Sequence, residues 1–310
     1  MDITNRSQIT LFEFSGLTDD KALIPFLFVF FLLVYIVTVV GNLAIMIMTN
    51  ISSSLQTQMY FFLNYLSLVD LVYSSIITPK MLSDLISVKK SISLVGCALQ
   101  FFFFASIAST EVFILACMAL DRYAAICRPL HYALIMTKNN CLCMVLLSFF
   151  IGFLQAVVPT GCMFTLTFCV SNHIEHYYCD VPPLLKLTCS DPLLCNILLN
   201  IVVCLCTVSS MMTILVSYCL IISSIIRIKS SKGRRKAFST CSSHLTCVTI
   251  LYATVLSNYL HPSSDTFNKY DKSASLFYSV INPMLNPIIY SLRNQDVKKA
   301  FLEMIQKRQN

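Results

Sequence analysis

Met118-Ala119-Leu120-Asp121-Arg122-Tyr123 closes an apolar run, Gly96–Leu120, in which only Glu111 carries a charge. A run of that length matches the roughly 20 residues needed to cross a bilayer as a helix. Arg122 is permanently charged, and Asp121 beside it can hold the guanidinium while a helical bundle is closed. Once released, a long guanidinium at the mouth of a bundle can meet the carbonyl end of a partner's helix. A bare Asp-Arg-Tyr is a weak signal. At the inner end of a third span, 25 residues after Cys97, it is a strong one.

Six further runs of similar length and polarity surround it. The seven expected spans are Leu23–Met48, Met59–Pro79, Gly96–Leu120, Cys141–Cys162, Ile197–Ile226, Ala237–Leu260 and Ser273–Leu292. The chain is 56% hydrophobic and 12% charged, with mean hydropathy +0.74, about half the charge of a soluble globular chain. No alternating ten-residue strand pattern is present, so the expected class is all-α, a seven-transmembrane helix bundle, because helices satisfy their own backbone inside lipid. The first apolar run starts after Asp19, Asp20 and Lys21 and is too long for a signal-peptide core.

Lys and Arg counts set the expected orientation. With the N-terminus outside, the cytoplasmic segments and tail hold 14 basic residues against 8 outside, Lys89-Lys90 being the main dissent. Three of the inner ones lie in the second loop (Arg122, Arg128, Lys138), and the third runs from Arg227 to Lys236. Asn5-Arg6-Ser7, an N-glycosylation acceptor at Asn5, is of use only on the lumenal side, which agrees.

The 15 cysteines divide by side. Eleven fall in or near spans or on the inner face, where a thiol packs as a small hydrophobe. Cys97, Cys169, Cys179 and Cys189 lie outside, and an even count on an oxidising face implies two disulfides with three possible pairings. Cys97 with Cys179 would pin the fourth-to-fifth loop across the bundle, leaving Cys169 with Cys189. That loop, about Met163 to Asn196, has the length of a lid or binding element without helices of its own. Its His173-Ile174-Glu175-His176-Tyr177-Tyr178-Cys179-Asp180 reads as a disulfide beside exposed histidines, since a zinc site would need Cys179 free.

Two acids lie deep within spans, Asp70 and Glu111. A mid-bilayer carboxylate costs several kcal/mol on insertion scales and should face the bundle interior. Glu111 is 14 residues past Cys97, about 21 Å down the axis, and Asp70 should lie at similar depth. Two carboxylates in low dielectric share a proton or hold a sodium-like cation between them, or are hydrogen-bonded to Asn42, Asn282 or Asn286. The seventh span contains Asn282-Pro283 and Asn286-Pro287-Ile288-Ile289-Tyr290. Proline removes a helical hydrogen bond and bends the helix, which makes a plausible two-state element of it. No lysine lies between Ser273 and Leu292, which rules out a retinal Schiff base there. After Arg293, Val297, Ala300, Phe301, Met304 and Ile305 fall on one face of a short amphipathic helix expected at the cytoplasmic membrane surface.

These residues resemble the olfactory (odorant) receptors of the rhodopsin-like G-protein-coupled class. The resemblance is carried by Gly41-Asn42, Met59 through Leu63, Leu66 through Asp70, Met118 through Cys127, Lys236 through Leu245 and Pro283 through Asn294. The three loop cysteines fit the family's extended outer loop. Gln58 stands in place of the usual proline, Leu120 in place of the usual tyrosine and Ala253 in place of a common glycine.

The resemblance implies one receptor domain over 1–310: extracellular 1–22, the bundle 23–292 and a cytoplasmic tail 293–310. It implies a multi-pass plasma-membrane protein that binds an odorant outside and activates a heterotrimeric stimulatory G protein inside, raising cyclic AMP. No enzymatic activity, cofactor or nucleic-acid partner is expected. Coupling falls to Asp121, Arg122, Tyr123, Asn286, Pro287 and Tyr290. By helical spacing the pocket is lined by Phe104, Ile107, Ala108 and Ser109 on span three and by Val202, Cys206 and Thr207 on span five. Span six adds Tyr252, Val255, Leu256 and Tyr259, and span seven Tyr278 and Ser279. Mostly apolar walls with a few hydroxyls suit a small molecule with one polar group. A transporter would show internal repeats and broken helices in corresponding halves; neither is present.

Overall fold

The computed structural model describes residues 9–18, 20–227, 230–260, 267–293, 297 and 299. Seven long helices form the bundle: α1 (Ile24–Ile51), α2 (Gln58–Ile86), α3 (Leu94–Cys127), α4 (Lys138–Thr165), α5 (Leu193–Ile226), α6 (Ser231–Leu260) and α7. The last runs as Phe267–Leu276, a wider π turn at Phe277–Ile281, and Asn282–Arg293. Among the described residues α1 to α5 are long and apolar enough to cross a membrane, and α6 adds the apolar stretch Cys241–Val255. Large apolar side chains such as Phe26, Leu33, Leu146, Phe150 and Leu205 stand exposed on the outer faces. In water such a surface would be a liability; facing acyl chains it needs no protein partner.

Every helix overruns its apolar stretch, because lipid thickness limits the apolar segment and not the backbone hydrogen bonding. One overrun corrects an expectation. The second span was to end at Pro79, whereas α2 continues through it to Ile86. One missing donor bends a helix without ending it when the flanking turns are packed. Side-chain caps start two helices: Ser93 Oγ accepts from the Gly96 amide at 3.0 Å and Thr137 Oγ1 from the Asn140 amide at 3.2 Å.

α3 is the central post, packed against α2, α4, α5 and α6. Its approach to α4 depends on Gly152, where an added Cβ would lie 2.5 Å from the Ser106 carbonyl oxygen. α1 meets α7 in the same way, Gly41 facing the Pro287 ring, which an added Cβ would reach at 3.1 Å.

At the opposite end from Arg122 a three-stranded sheet covers the bundle. β1 (Leu11–Phe14) lies between β2 (Ser91–Ser93), antiparallel, and β3 (His173–Ile174), parallel, with Phe12 opposite Ile92 and Glu13 opposite both Ser91 and His173. No strand was expected. The two-residue alternation is present, Phe12 and Phe14 buried while Leu11 and Glu13 face out, but four residues are too few to stand out in a sequence. The loop between α4 and α5 carries its own short helix, Val181–Leu185, capped by Asp180, against the expectation of a loop without helices. Of the three possible pairings the structure has Cys97–Cys179 and Cys169–Cys189. Beside the sheet, Gly16 turns with φ +74°; there Lys90 Nζ donates to the Ser15 carbonyl at 3.2 Å and Lys272 Nζ to Ser15 Oγ at 2.8 Å.

Asn5, the pocket side chains of Leu256 and Tyr259, and the amphipathic tail beyond residue 299 lie outside the described residues. Val297 is described, and it is buried in the main core cluster.

Gly152→Ala forces α3 and α4 apart at a backbone contact and should cost about 1–3 kcal/mol, read as a lower thermal midpoint in detergent. Gly161→Ala on the same helix meets nothing within 4 Å and should leave the midpoint unchanged; equal losses in both variants would refute the packing account.

Candidate functional site

Three polar layers run through the bundle, and α7 takes part in the upper two. In the middle layer Asp70 and Glu111 are fully buried and close enough to repel. Asn286 Nδ2 donates to both Asp70 oxygens at 3.1 Å, and Asn282 Nδ2 donates to Glu111 Oε1 at 3.1 Å. Asn42, expected as a third partner of the acids, is engaged elsewhere. Its amide donates to the carbonyls of Thr38 at 3.0 Å and Pro283 at 3.2 Å. Pro283 O is the acceptor that residue 287 would serve in an unbroken helix, and Pro287 has no N–H to give it. A side chain of α1 repairs the break in α7.

The donor set fits a small hard cation. Besides the two carboxylates, Asn282 Oδ1 is buried and has no partner among the described residues, and oxygen donors of this kind suit alkali and alkaline-earth ions. No group of three or more acids, histidines and cysteines is placed to hold a metal among the described residues.

At the lid end an aromatic cluster fills the space between α2, α3 and α7. Phe104 stacks on Tyr73 with ring centroids 5.0 Å apart and lies 5.3 Å from Tyr178 and 6.0 Å from Tyr278. The Tyr178 hydroxyl donates to Asp180 Oδ2 at 2.6 Å and shares a second hydrogen bond with the Tyr278 hydroxyl, which itself lies 3.3 Å from the same carboxylate oxygen. Tyr177 bonds Ser279 Oγ at 3.0 Å. Of the expected pocket residues, Phe104, Tyr278 and Ser279 therefore touch loop tyrosines. Ile107, Ala108, Tyr252 and Val255 belong to or pack on the same core cluster. Ser109 is half-buried on α3 and bonds its own helix. Tyr252 is tied to Ser210 of α5 at 2.7 Å, while Val202, Cys206 and Thr207 lie half-buried on α5.

The lid tyrosines were missed in the sequence. Tyr177 and Tyr178 precede Cys179, whose bond to Cys97 drags them inward, and that adjacency was the available signal. Gln100 seats the same turn, its Oε1 accepting from the Cys179 amide at 3.1 Å. The two histidines were expected to be exposed. His173 is, but His176 is only 1% exposed and stacks on Tyr177 at 4.6 Å. Neither of its nitrogens has a partner among the described residues. Burial in apolar surroundings pushes its pKa down to about 4, the charge of Asp180 opposing this and that of Lys272 assisting it.

At the far end Arg122 Nη2 lies 3.3 Å from Asp121 Oδ2, and the fully buried Asp121 also accepts from Tyr132 at 2.8 Å. Tyr132 reaches Gln58 Oε1 at 3.3 Å as well, so the unusual Gln58 has a partner. Tyr123 is half-buried on the core, and Tyr290 is buried within it. Across the bundle, the Tyr218 hydroxyl and His244 Nδ1 are 2.8 Å apart, and His244 Nε2 is 3.0 Å from the Leu115 carbonyl. With its tautomer set by that carbonyl, His244 donates from Nε2 and accepts at Nδ1. One buried side chain thereby links α3, α5 and α6.

A family model described as olfactory receptor matches residues 31–308. Olfactory receptor 5AR1 of Mus musculus is 50% identical over 99% of this chain and 99% of its own length. Olfactory receptor 5B12 of Homo sapiens is 48% identical over 98% of this chain and 96% of its own. Among solved structures, squid rhodopsin superposes with TM-score 0.70 at 15% identity, covering 93% of this chain and 86% of that one. The fold is thus the seven-transmembrane bundle of rhodopsin.

A histidine whose pKa falls on folding is protonated first in the unfolded chain. Stability is therefore complete above pH 6.5 and declines as pH falls toward 4. At pH 5 the loss should reach about 2 kcal/mol. Thermal unfolding at pH 7.5 and pH 5 should show it in the wild type, and His176→Phe, which keeps the ring stack, should be flatter. Identical pH slopes would rule out His176 as the source.

Proposed function

The chain belongs to the olfactory receptor family, and from that premise we propose that it binds a small, mostly apolar odorant beneath the lid and activates a stimulatory G protein, raising cyclic AMP. Members of this family are signalling receptors and not enzymes. The reading places the sheet and both disulfides outside the cell, at the plasma membrane, and Arg122 in the cytosol. The Lys and Arg distribution supports that orientation, since the segments next to the Arg122 end carry most of them.

The carrying observation is that α7 touches the lid and both buried acids. Ser279 meets the lid tyrosine Tyr177, and three residues further Asn282 meets Glu111. Asn286 then meets Asp70. A ligand that repositions Phe104, Tyr278 or the lid tyrosines acts on a helix already interrupted at Pro283 and Pro287, where a shift in register is cheap. Phe104 and Tyr278 with Ile107, Ala108, Ser109, Val202, Cys206, Thr207, Tyr252, Val255 and Ser279 make up the described part of the proposed binding wall. Signalling requires the odorant to bind the active arrangement more tightly than the resting one, since equal affinity shifts nothing. In the active arrangement the Tyr218–His244–Leu115 link re-forms around a displaced α6, and Arg122 exchanges Asp121 for the G protein.

The middle layer is proposed to hold a monovalent cation between Asp70 and Glu111, with Asn282 Oδ1 as a further ligand. Such an ion supplies charge neutralisation, which favours the resting bundle.

Screening a chemically diverse odorant panel for cyclic AMP in transfected cells tests the main reading. At least one compound should raise it in wild type, and Arg122→Ala, at equal surface expression, should abolish the response. A normal response in the variant would remove the arginine from the mechanism. Raising external sodium should depress wild-type signalling, and Glu111→Gln should blunt that effect; if sodium changes neither, the acids are structural.

A further inference from the structure

The hydroxyls of the described wall can be followed hydrogen by hydrogen, because each has a single proton to donate and two lone pairs to accept with. Ser109 Oγ donates to the Ala105 carbonyl of its own helix at 2.8 Å. Ser279 Oγ donates to the Ser275 carbonyl at 2.6 Å, so in the 3.0 Å bond with Tyr177 the tyrosine is the donor. Ser210 Oγ donates to the Cys206 carbonyl at 2.6 Å, which makes Tyr252 the donor in their 2.7 Å bond. The Tyr178 proton goes to Asp180, and Tyr278 has its own proton engaged by Tyr178 or the same carboxylate. Thr207, half-buried on α5, is the one wall hydroxyl that donates to nothing among the described residues. The Cys206 thiol is only a weak donor. Tyr73, buried with its ring stacked on Phe104, lies outside the wall.

We infer that the polar group of the odorant is a hydroxyl, an alcohol or a phenol, and not a carbonyl or an ether. The wall is rich in lone pairs and poor in free protons. Ser109, Tyr252, Tyr278 and Ser279 have each placed their proton on a protein acceptor and keep at least one lone pair. Of these, Ser109 and Tyr278 are half-buried, whereas Tyr252 and Ser279 are buried. A hydroxyl ligand matches this inventory, since it donates to such an oxygen and accepts from Thr207. A ketone, ester or ether donates nothing and meets the Thr207 proton alone. To gain another, it must draw a wall hydroxyl away from a carbonyl or from Asp180, and one hydrogen bond is then exchanged for another with no net gain. The difference amounts to about tenfold in potency between an alcohol and the ketone of the same skeleton.

Selection for a hydroxyl rests on the odorant-binding reading proposed above, and one screen separates the two. Cells displaying the full-length receptor are given a panel of carbon skeletons, each as the alcohol, the ketone and the methyl ether, and cyclic AMP is recorded. Alcohols should dominate the responses, and wherever a skeleton acts in more than one form the alcohol should be about tenfold more potent. Thr207→Val keeps the shape of the side chain and removes its proton. At equal surface expression it should abolish any residual ketone response and weaken the alcohols only a few-fold. Ketones or ethers as potent as their alcohols would overturn the hydroxyl preference and leave odorant binding standing. Equal losses for alcohol and ketone in Thr207→Val would overturn the proton inventory on which that preference is built. Silence toward the whole panel, with receptor present at the surface, would overturn both readings.

Discussion

A carbonyl freed by a proline sets the terms for this bundle. Pro287 cannot donate to Pro283 O, and inside a membrane no water is at hand to replace it. Asn42 of α1 supplies the missing donor, which requires α1 and α7 to come close. The approach is possible because Gly41 presents no side chain to the Pro287 ring. From that fixed point α7 descends so that Asn282 and Asn286 face α3 and α2 and take the two buried carboxylates. Without the Asn42 contact the freed carbonyl would be an uncompensated polar group, and the segment carrying both asparagines would lose its register.

The asparagine layer shows how polar groups set position where apolar contacts cannot. Between helices in lipid there is little hydrophobic gain, so packing and interhelical hydrogen bonds decide the arrangement. Here the hydrogen-bonded groups gather at three levels. The lid layer uses hydroxyls and one exposed-side carboxylate; the middle layer uses amides against acids; the Arg122 layer uses an ion pair and an imidazole. The close α3–α4 contact at Gly152, against Ser106 and Thr110, lies between the lid level and the middle one. A bundle built this way rearranges by exchanging hydrogen-bond partners at discrete levels, which is how packed interfaces come to have two states.

Much of this was legible in the residues themselves. The seven apolar runs located the helices to within seven residues at either end, and the Asn-Pro repeats marked where α7 loses a backbone donor. Asp70 and Glu111 stood out because charge is rare in such runs. Illegible features depended on contacts between distant segments. Nothing in Leu11–Phe14 announces its partners, which lie about 80 and 160 residues away. The inward turn of Tyr177 and Tyr178 follows from which of three cysteine pairings is made. Asn42 was expected at the carboxylates and found at a carbonyl, because proline's missing donor is invisible until the neighbouring helix is known. The second span was read to Pro79 because the uncharged run stops there, at Lys80, whereas the backbone of α2 stays helical to Ile86.

The position of β1 has a consequence for how the molecule is made. Its residues are synthesised before both partner strands: β2 and β3 belong to the second-to-third and fourth-to-fifth connections, and Lys272, which holds Ser15, precedes the final crossing. The leading segment must remain unpaired through most of translation and be captured late, so the cap finishes as the seal on an otherwise assembled barrel of helices. Chains arrested before that seal would present bare strand edges and the rings of Phe12 and Phe14 to the folding compartment, a form that chaperones can recognise and retain.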